Sequence, residues 1–271
     1  MGASMQKTNI TKKIHLKLLL IFIGLVAIFV LIIPALSIGT SSKDSLLQEI
    51  IRKAEMRQQF ILDNIQDATF MGKATYKELD KDGSVKKDVF IQRRIYMKQY
   101  GKRYEEYISM VVDGKPLSKE EIEKERKEWQ KKSKSEETKM PLSKEAKGDY
   151  EYKLLGSDIF NGMPVWVVQF TSKKKEDGYI NGTGYILKDK YDIVYAKFVP
   201  AKMPSVIKDM DMSLSYSEVQ GYWLPSKFEM YMKINVKFLF DMYYRQIKID
   251  DTYSQYKLNS GLQDSLFEAK G

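Results

Sequence analysis

The sequence predicts a mainly β (α+β) protein in which a curved antiparallel sheet is covered by helices. The 18 Tyr and 12 Phe stand against only 7 Pro and 16 Gly among 271 residues, a balance that favours strands. Short runs of apolar residues recur at intervals of roughly ten residues, with turn residues between them. Since 43% of the residues are hydrophobic, the chain can bury a substantial core.

The N-terminal segment has the layout of an export signal. An apolar run of 16 residues, Leu18 to Ile33, follows a basic stretch that ends at Lys17 and precedes Pro34-Ala35-Leu36-Ser37. The small residues suit a signal peptidase, whereas the run extended through Ile38 approaches the roughly 20 residues that span a bilayer. Residues 1–39 are therefore predicted to be either a cleaved signal peptide or a retained anchor formed by residues 18–38. Both alternatives place the rest of the chain in the periplasm.

The exported part is predicted to begin with one amphipathic helix followed by a hairpin. Apolar residues at three- and four-residue spacing indicate a helix over about 43–64 that lies against the sheet. From Ala68 the period changes to two, and the turn residues at 80–83 lead into a returning strand over 85–100. A third strand is predicted over 104–112, ending at the turn Asp113-Gly114.

A charged insertion is predicted at about 118–139. Ser118 and Glu121 have the spacing of a capping box, so a helix is expected over about 119–134. Its apolar anchors are Ile122 and Trp129, which favours a solvent-facing helix. Residues 131–147 are predicted to form a mobile polar connection.

A second block of strands is predicted after Tyr150. Turns are expected at Asn161-Gly162 and Gln220-Gly221, between strands over 152–155, 165–170, 182–187, 193–199 and 212–219. The clearest alternation then places apolar residues at every second position, which predicts one buried and one wet face: Phe228, Met230, Met232, Ile234, Val236, Phe238 and Phe240. We expect a hairpin tip within this long run, near Asn235.

The composition speaks against an enzyme. There is no Cys, and the only His is His15, which precedes the apolar run, so an exported chain lacks thiol and imidazole chemistry. The acidic pairs fall where such pairs are usually solvated: Asp80 and Asp82, Asp209 and Asp211, and Asp250 and Asp251. We therefore predict no catalysis, no metal and no cofactor. Of the net charge of +9, four positive charges lie in residues 1–39, and in the rest of the chain Lys is interspersed with acidic residues, so no nucleic-acid binding is predicted.

Three segments of the second block occur in the order found in a known family. They are Tyr152-Lys153-Leu154-Leu155-Gly156 with Gly162 and Val165-Trp166-Val167-Val168; Gly184-Tyr185-Ile186-Leu187-Lys188 with Tyr191-Asp192-Ile193-Val194; and Ser215-Tyr216-Ser217-Glu218-Val219 with Gly221-Tyr222-Trp223-Leu224-Pro225. In these segments the chain resembles the LolA-like family of outer-membrane lipoprotein-sorting proteins and lipoprotein carriers, which also includes lipoprotein-sensing regulators. The match covers about residues 43–258.

The resemblance implies an unclosed β half-barrel over residues 40–271, with a mouth covered by helices and an apolar cavity that takes acyl chains. It implies a periplasmic lipid or lipoprotein carrier that contributes to outer-membrane lipoprotein sorting in a Gram-negative envelope. The alternative is a membrane-anchored sensor or scaffold without transport. The implied partners are an acylated lipoprotein or lipid and the inner-membrane surface, and the oligomeric state is left open.

The candidate cavity residues are those of the apolar strand faces: Trp166, Val168, Phe170, Phe228, Met230, Met232 and Ile234. Met suits a ligand of variable shape because its unbranched thioether repacks easily. The same side chains also fit a filled core, and the sequence leaves both readings open. Arg93, Arg94 and Arg245 are equal candidates for a residue that gates the ligand.

Overall fold

A computed structural model of the protein describes residues 42–268 except 100, 133–137, 145, 147 and 239–240. The predicted export segment, residues 18–38, lies outside the described residues. Within the described ranges, no helix has the length and apolar character needed to cross a membrane.

The described residues form three helices and eleven strands. The helices are α1 Ser42–Asn64, α2 Lys119–Lys132 and α3 Ser265–Glu268. The strands are β1 Asp67–Leu79, β2 Val85–Lys98, β3 Lys102–Val112, β4 Lys115–Pro116, β5 Tyr150–Phe160, β6 Met163–Ser172, β7 Ile180–Leu187, β8 Ile193–Pro200, β9 Ile207–Val219, β10 Tyr222–Phe238 and β11 Asp241–Leu258.

All eleven strands belong to one antiparallel sheet in the order β4-β3-β2-β1-β11-β10-β9-β8-β7-β6-β5. The first and last long strands, β1 and β11, pair in the middle of the sheet, so the two halves of the chain extend outward from this seam. The edge strands β4 and β5 do not pair with each other among the described residues. This arrangement confirms the predicted mainly antiparallel, unclosed sheet with a few helices.

Most predicted turns are confirmed by the backbone. Asp113-Gly114, Asn161-Gly162 and Gln220-Gly221 each have two consecutive residues with positive φ, the geometry of tight hairpin turns. The predicted hairpin is present as β10 and β11, but its tip is not near Asn235, because Asn235 pairs with Tyr244 inside a continuous ladder that extends to Phe238 and Asp241. The alternating pattern carried no turn signal at that point, and the strand simply continues.

Helix α1 confirms the predicted amphipathic helix and packs on one end of the sheet. Its Ile50 and Ala54 are almost completely buried against Leu154, Val168 and Ile186 of β5, β6 and β7. We call the sheet face that α1 covers the inner face. The i, i+4 spacing of Ile50 and Ala54 places both side chains on the same side of the helix, which explains this docking.

Helix α2 is less solvent-facing than the sequence predicted. Ser118 accepts from the Glu121 amide, and the Glu121 carboxylate accepts from the Ser118 amide, so the capping box is confirmed. Ile122 is buried against Ala74, Val89, Ile91 and Met110, and it covers the far end of the inner face.

The connection predicted to be mobile and polar over 131–147 is instead packed where it is described. Ala146 is fully buried in the main core cluster, and Met140 packs against that cluster. The Tyr150 hydroxyl donates to the Lys139 carbonyl at 2.6 Å, and the Tyr152 hydroxyl donates to the Pro141 carbonyl. A few apolar side chains and two tyrosine hydroxyls therefore fix a segment whose composition is mainly polar.

Candidate functional site

The inner face has a filled part and a hollow part. In the filled part, side chains from β9, β10 and β11 pack together across the ladder: Met210, Met212, Met230, Met232, Ile234, Ile247 and Ile249. In the hollow part, a cavity of about 370 Å³ lies between α1, the segment 140–143 and strands β1, β2 and β5 to β11. This volume is within the range of about 300–1,000 Å³ that is typical of small-molecule sites.

The walls of the cavity are mainly apolar. Helix α1 contributes Ile51, Ile61 and Leu62, and the segment 140–143 contributes Met140, Pro141 and Leu142. The sheet contributes further apolar lining residues: Ala68, Phe70, Met97, Val168, Phe170, Ile180, Ile186, Ile193, Ala196, Phe198, Leu214, Trp223, Leu224 and Pro225. An apolar molecule that enters the cavity would be removed from contact with water wherever these walls cover it. This removal of apolar surface from water favours binding.

Polar residues that line the cavity cluster where α1 ends and β1 and β2 meet. Four amide side chains occur there, from Gln58, Gln59, Gln66 and Gln99. Lys98 is the one cation among the described lining residues, and its ammonium donates to the Leu262 carbonyl and the Asp264 carboxylate, each at 3.0 Å. The cavity thus has an apolar interior and one polar end.

A carboxylate at this polar end is fixed by the C-terminal segment. Asp67 is 5% exposed and accepts hydrogen bonds from the backbone amides of Ser260, Gly261 and Leu262 and from the Ser260 hydroxyl, at 2.7–3.1 Å. Burial raises the pKa of Asp67, but these four hydrogen bonds outweigh it, and the pKa lies below its ordinary value. Asp67 is therefore a structural anion that ties residues 260–262 to β1.

Two glycines on β7 differ in the space beside them. A Cβ atom on Gly182 would meet the Lys197 carbonyl oxygen at 2.1 Å, so that glycine is required by close backbone approach. A Cβ atom on Gly184 would have no neighbour within 4 Å, and Gly184 lines the cavity. Gly184 therefore keeps part of the cavity empty by lacking a side chain.

Helix α1 is held over the cavity by polar contacts to two turns of the sheet. The Arg57 guanidinium donates to Asp192 at 2.7 Å and to the Gly221 carbonyl at 2.8 Å. Asp192 is fully buried, and this burial raises its pKa, although Arg57 acts in the opposite direction. Lys53 donates to the Tyr191 hydroxyl at 3.2 Å, and the Phe60 ring stacks on Tyr222.

The structure separates the seven predicted cavity residues into two groups. Val168 and Phe170 line the cavity, and Trp166 packs against the cluster under α1. The other four, Phe228, Met230, Met232 and Ile234, lie in the filled core cluster and not in the cavity lining. Contact of any of these residues with a lipid stays a prediction.

The three arginines considered as gating residues make ion pairs away from the cavity lining. Arg93 is buried between Asp251 and Glu105, and its Nε lies 3.1 Å from the Glu105 carboxylate. Arg94 forms an exposed pair with Glu106. Arg245 pairs with Glu78 near the end of β1. None of the three belongs to the residues that line the cavity.

The acidic pairs found in the sequence differ in exposure, and Asp251, which was expected to be solvated, is instead fully buried in an ion pair with Arg93. Asp209 and Asp211 are exposed, and Asp211 pairs with Lys197 at 3.0 Å. Within the described part of the chain, no group of three or more His, Cys, Asp or Glu residues could hold a metal ion.

Comparison with known proteins identifies the family. A protein-family model described as a family of unknown function (DUF5686) matches residues 49–252, from α1 to β11. The chain belongs to this family. The matched residues include the whole sheet from β1 to β10 and most of the cavity lining. A search of curated proteins gives no match.

Solved structures similar to the chain include a LolA superfamily protein and two others. A DUF1329 family protein from Desulfovibrio piger is 15% identical, with a TM-score of 0.44 over 83% of this chain and 98% of that one. A domain assigned to the outer membrane lipoprotein-sorting proteins, from Vibrio parahaemolyticus, is 13% identical, with a TM-score of 0.39 over 81% and 97%. A LolA superfamily protein from Nitrosomonas europaea is 15% identical, with a TM-score of 0.33 over 81% and 96%.

Proposed function

We propose that the protein is a periplasmic carrier that holds acyl chains of a lipid or lipoprotein in the cavity under α1, and that it catalyses no reaction. The observation that carries this proposal is the hollow, apolar part of the inner face, which stands beside a filled part of the same sheet. A protein that needed only a stable core would gain by filling this space, because close packing stabilises the folded state.

The free energy of burying apolar surface in the cavity favours an aliphatic ligand. Each buried methylene contributes about 0.8 kcal/mol, so about ten methylenes contribute roughly 8 kcal/mol before the costs of association. Those costs reduce the net affinity to the range of reversible binding, which is what a carrier requires. The four amides and Lys98 at the polar end would remain near the head of the lipid.

The role in outer-membrane lipoprotein sorting rests on the export-type N-terminus and the LolA-like order of the sequence segments. A membrane-anchored sensor or scaffold is the second candidate. The length of the apolar run favours it, since 16 residues extended through Ile38 approach a membrane span. A tethered chain would bind the same acyl groups but would not move them between membranes.

Filling the cavity from within tests the proposal. Gly184→Phe adds a ring where a Cβ meets no atom within 4 Å, so we expect the variant to fold and to lose most of its uptake of a fluorescent fatty acid. Thr183→Phe is the matched control, because Thr183 pairs with the exposed residues Gln169 and Lys197 on the opposite face. Equal uptake by the wild type and Gly184→Phe would contradict binding in this cavity.

A further inference from the structure

Three tyrosines line the cavity, and their hydroxyls differ in whether the protein supplies a hydrogen-bond partner. The Tyr152 hydroxyl donates to the Pro141 carbonyl, and the Tyr256 hydroxyl donates to the Pro225 carbonyl at 2.6 Å. The Tyr216 hydroxyl has no hydrogen-bond partner among the described residues. Two of the three hydroxyls are therefore satisfied by the protein, and one is left over.

A hydroxyl without a hydrogen-bond partner is unusual at the position of Tyr216. Tyr216 is half-buried, and this burial raises the pKa of its phenol. Its hydroxyl is not among the fully enclosed unpaired polar atoms of the described residues, so a molecule in the cavity that Tyr216 lines can reach it. Tyrosine hydroxyls that are withdrawn from water usually find a partner, and an unmade hydrogen bond there costs free energy. The partner of Tyr216 is thus expected to come from the content of the cavity.

The surroundings of Tyr216 restrict the chemistry of that partner. Tyr216 lies on β9 opposite Pro225 of β10, and Leu214 and Leu224 line the same wall. Lys98 is the one cation among the described lining residues, and it is already engaged by Asp264 and the Leu262 carbonyl. A carboxylate beside Tyr216 would therefore be desolvated without a counter-ion, which is costly, whereas a neutral carbonyl needs only one donor.

We propose that Tyr216 donates a hydrogen bond to a neutral carbonyl oxygen of the ligand, so that the cavity selects acyl esters or amides over plain hydrocarbons. This inference rests on the proposed function and names the ligand class of the same site. The acyl chain then lies along the apolar lining, and its ester or amide group lies beside Tyr216.

The test compares an ester with an alkane of the same chain length. Methyl laurate and tetradecane would each displace a fluorescent acyl probe from the wild-type chain and from Tyr216→Phe, which removes a single oxygen atom. A neutral hydrogen bond contributes about 0.5–1.5 kcal/mol, so we expect Tyr216→Phe to bind methyl laurate about two- to tenfold more weakly. Binding of tetradecane should be unchanged.

Tyr256→Phe is the control, because that hydroxyl is already bonded to Pro225 and should not discriminate between the two probes. Infrared spectroscopy of methyl laurate labelled with ¹³C at the carbonyl gives a second readout. Its carbonyl band should lie lower in the wild type than in Tyr216→Phe. Equal ester affinities, or a carbonyl band that Tyr216→Phe leaves unchanged, would overturn the role of Tyr216 while leaving acyl binding intact. Failure of the wild type to bind either probe would overturn acyl binding and the role of Tyr216 together.

Discussion

Asp251 and Arg93 form a buried ion pair on the sheet, and neither residue lines the cavity. Asp251 is fully buried and accepts hydrogen bonds from Arg93 and from the Tyr253 hydroxyl. Burial raises the pKa of Asp251, although Arg93 and Tyr253 oppose that change. This pair lies between the apolar clusters around Phe70 and Ala74. Each of the two charges is therefore stabilised by the presence of the other.

Removing one charge of this pair should destabilise the protein strongly. Asp251→Ala leaves Arg93 buried with only Glu105 as a partner, so we expect the free energy of unfolding to fall by about 3 kcal/mol. Urea denaturation followed by circular dichroism measures the change. Asp211→Ala is the control, because the pair of Asp211 with Lys197 is exposed and should contribute less than about 1 kcal/mol. Similar losses in the two variants would contradict the importance of the buried pair.

Individual residues differ in how far their roles could be predicted from the sequence. The burial of Phe228, Met230, Met232 and Ile234 followed from their alternation. Whether they face a core or a cavity did not follow, since apolar side chains suit both. The role of Gly184 in keeping the cavity open could not be predicted, because an empty space produces no pattern of residues in the sequence. Tyr216 lies in a segment that supported the family resemblance, but its missing hydrogen bond is visible only in three dimensions.

At the scale of elements, α1 was predicted well because its signals are local. The spacing of Ile50 and Ala54 sets both the helix and the face that it buries. The segment 138–144 was predicted poorly because its packing depends on long-range partners, above all the hydroxyls of Tyr150 and Tyr152. Composition describes the average residue of a segment, whereas a few side chains decide whether it packs.

The contacts of Arg57 should control how readily α1 opens. Arg57→Gln removes the charged hydrogen bonds to Asp192 and Gly221, each of which contributes about 1.5–3 kcal/mol when a charge is involved. We expect amide hydrogen exchange in residues 42–64 to accelerate at least about tenfold, because local opening of the helix becomes less costly. Mass spectrometry of the exchanged peptides measures this rate.

Arg52→Gln is the matched control on the same helix. Arg52 is exposed and bonds to the Met56 sulfur four residues away, so its loss leaves the contacts between α1 and the sheet unchanged. If both variants exchange at the wild-type rate, α1 is held by its apolar face alone. Ligand exchange would then not depend on Arg57.

At the scale of the whole molecule, one sheet supports two different interiors. The half around β10 and β11 is closed by side chains from neighbouring strands, and the half around β5 to β8 is roofed by α1 and the segment 140–143. The antiparallel arrangement of the strands was readable from the sequence. The division into a filled and a hollow part depends on how the roof elements sit, which no local pattern encodes.

Photo-crosslinking in intact envelopes tests the central claim, that acyl chains occupy the cavity under α1, most directly. Cells that produce the full chain would be fed a fatty acid carrying a diazirine, irradiated, and the labelled peptides mapped by mass spectrometry. We predict labels on cavity-lining residues of β6, β7 and α1, such as Phe170, Ile186 and Ile61, and their loss in Gly184→Phe. Labels confined to residues 18–38, or to the sheet face that carries Thr183, would contradict the account.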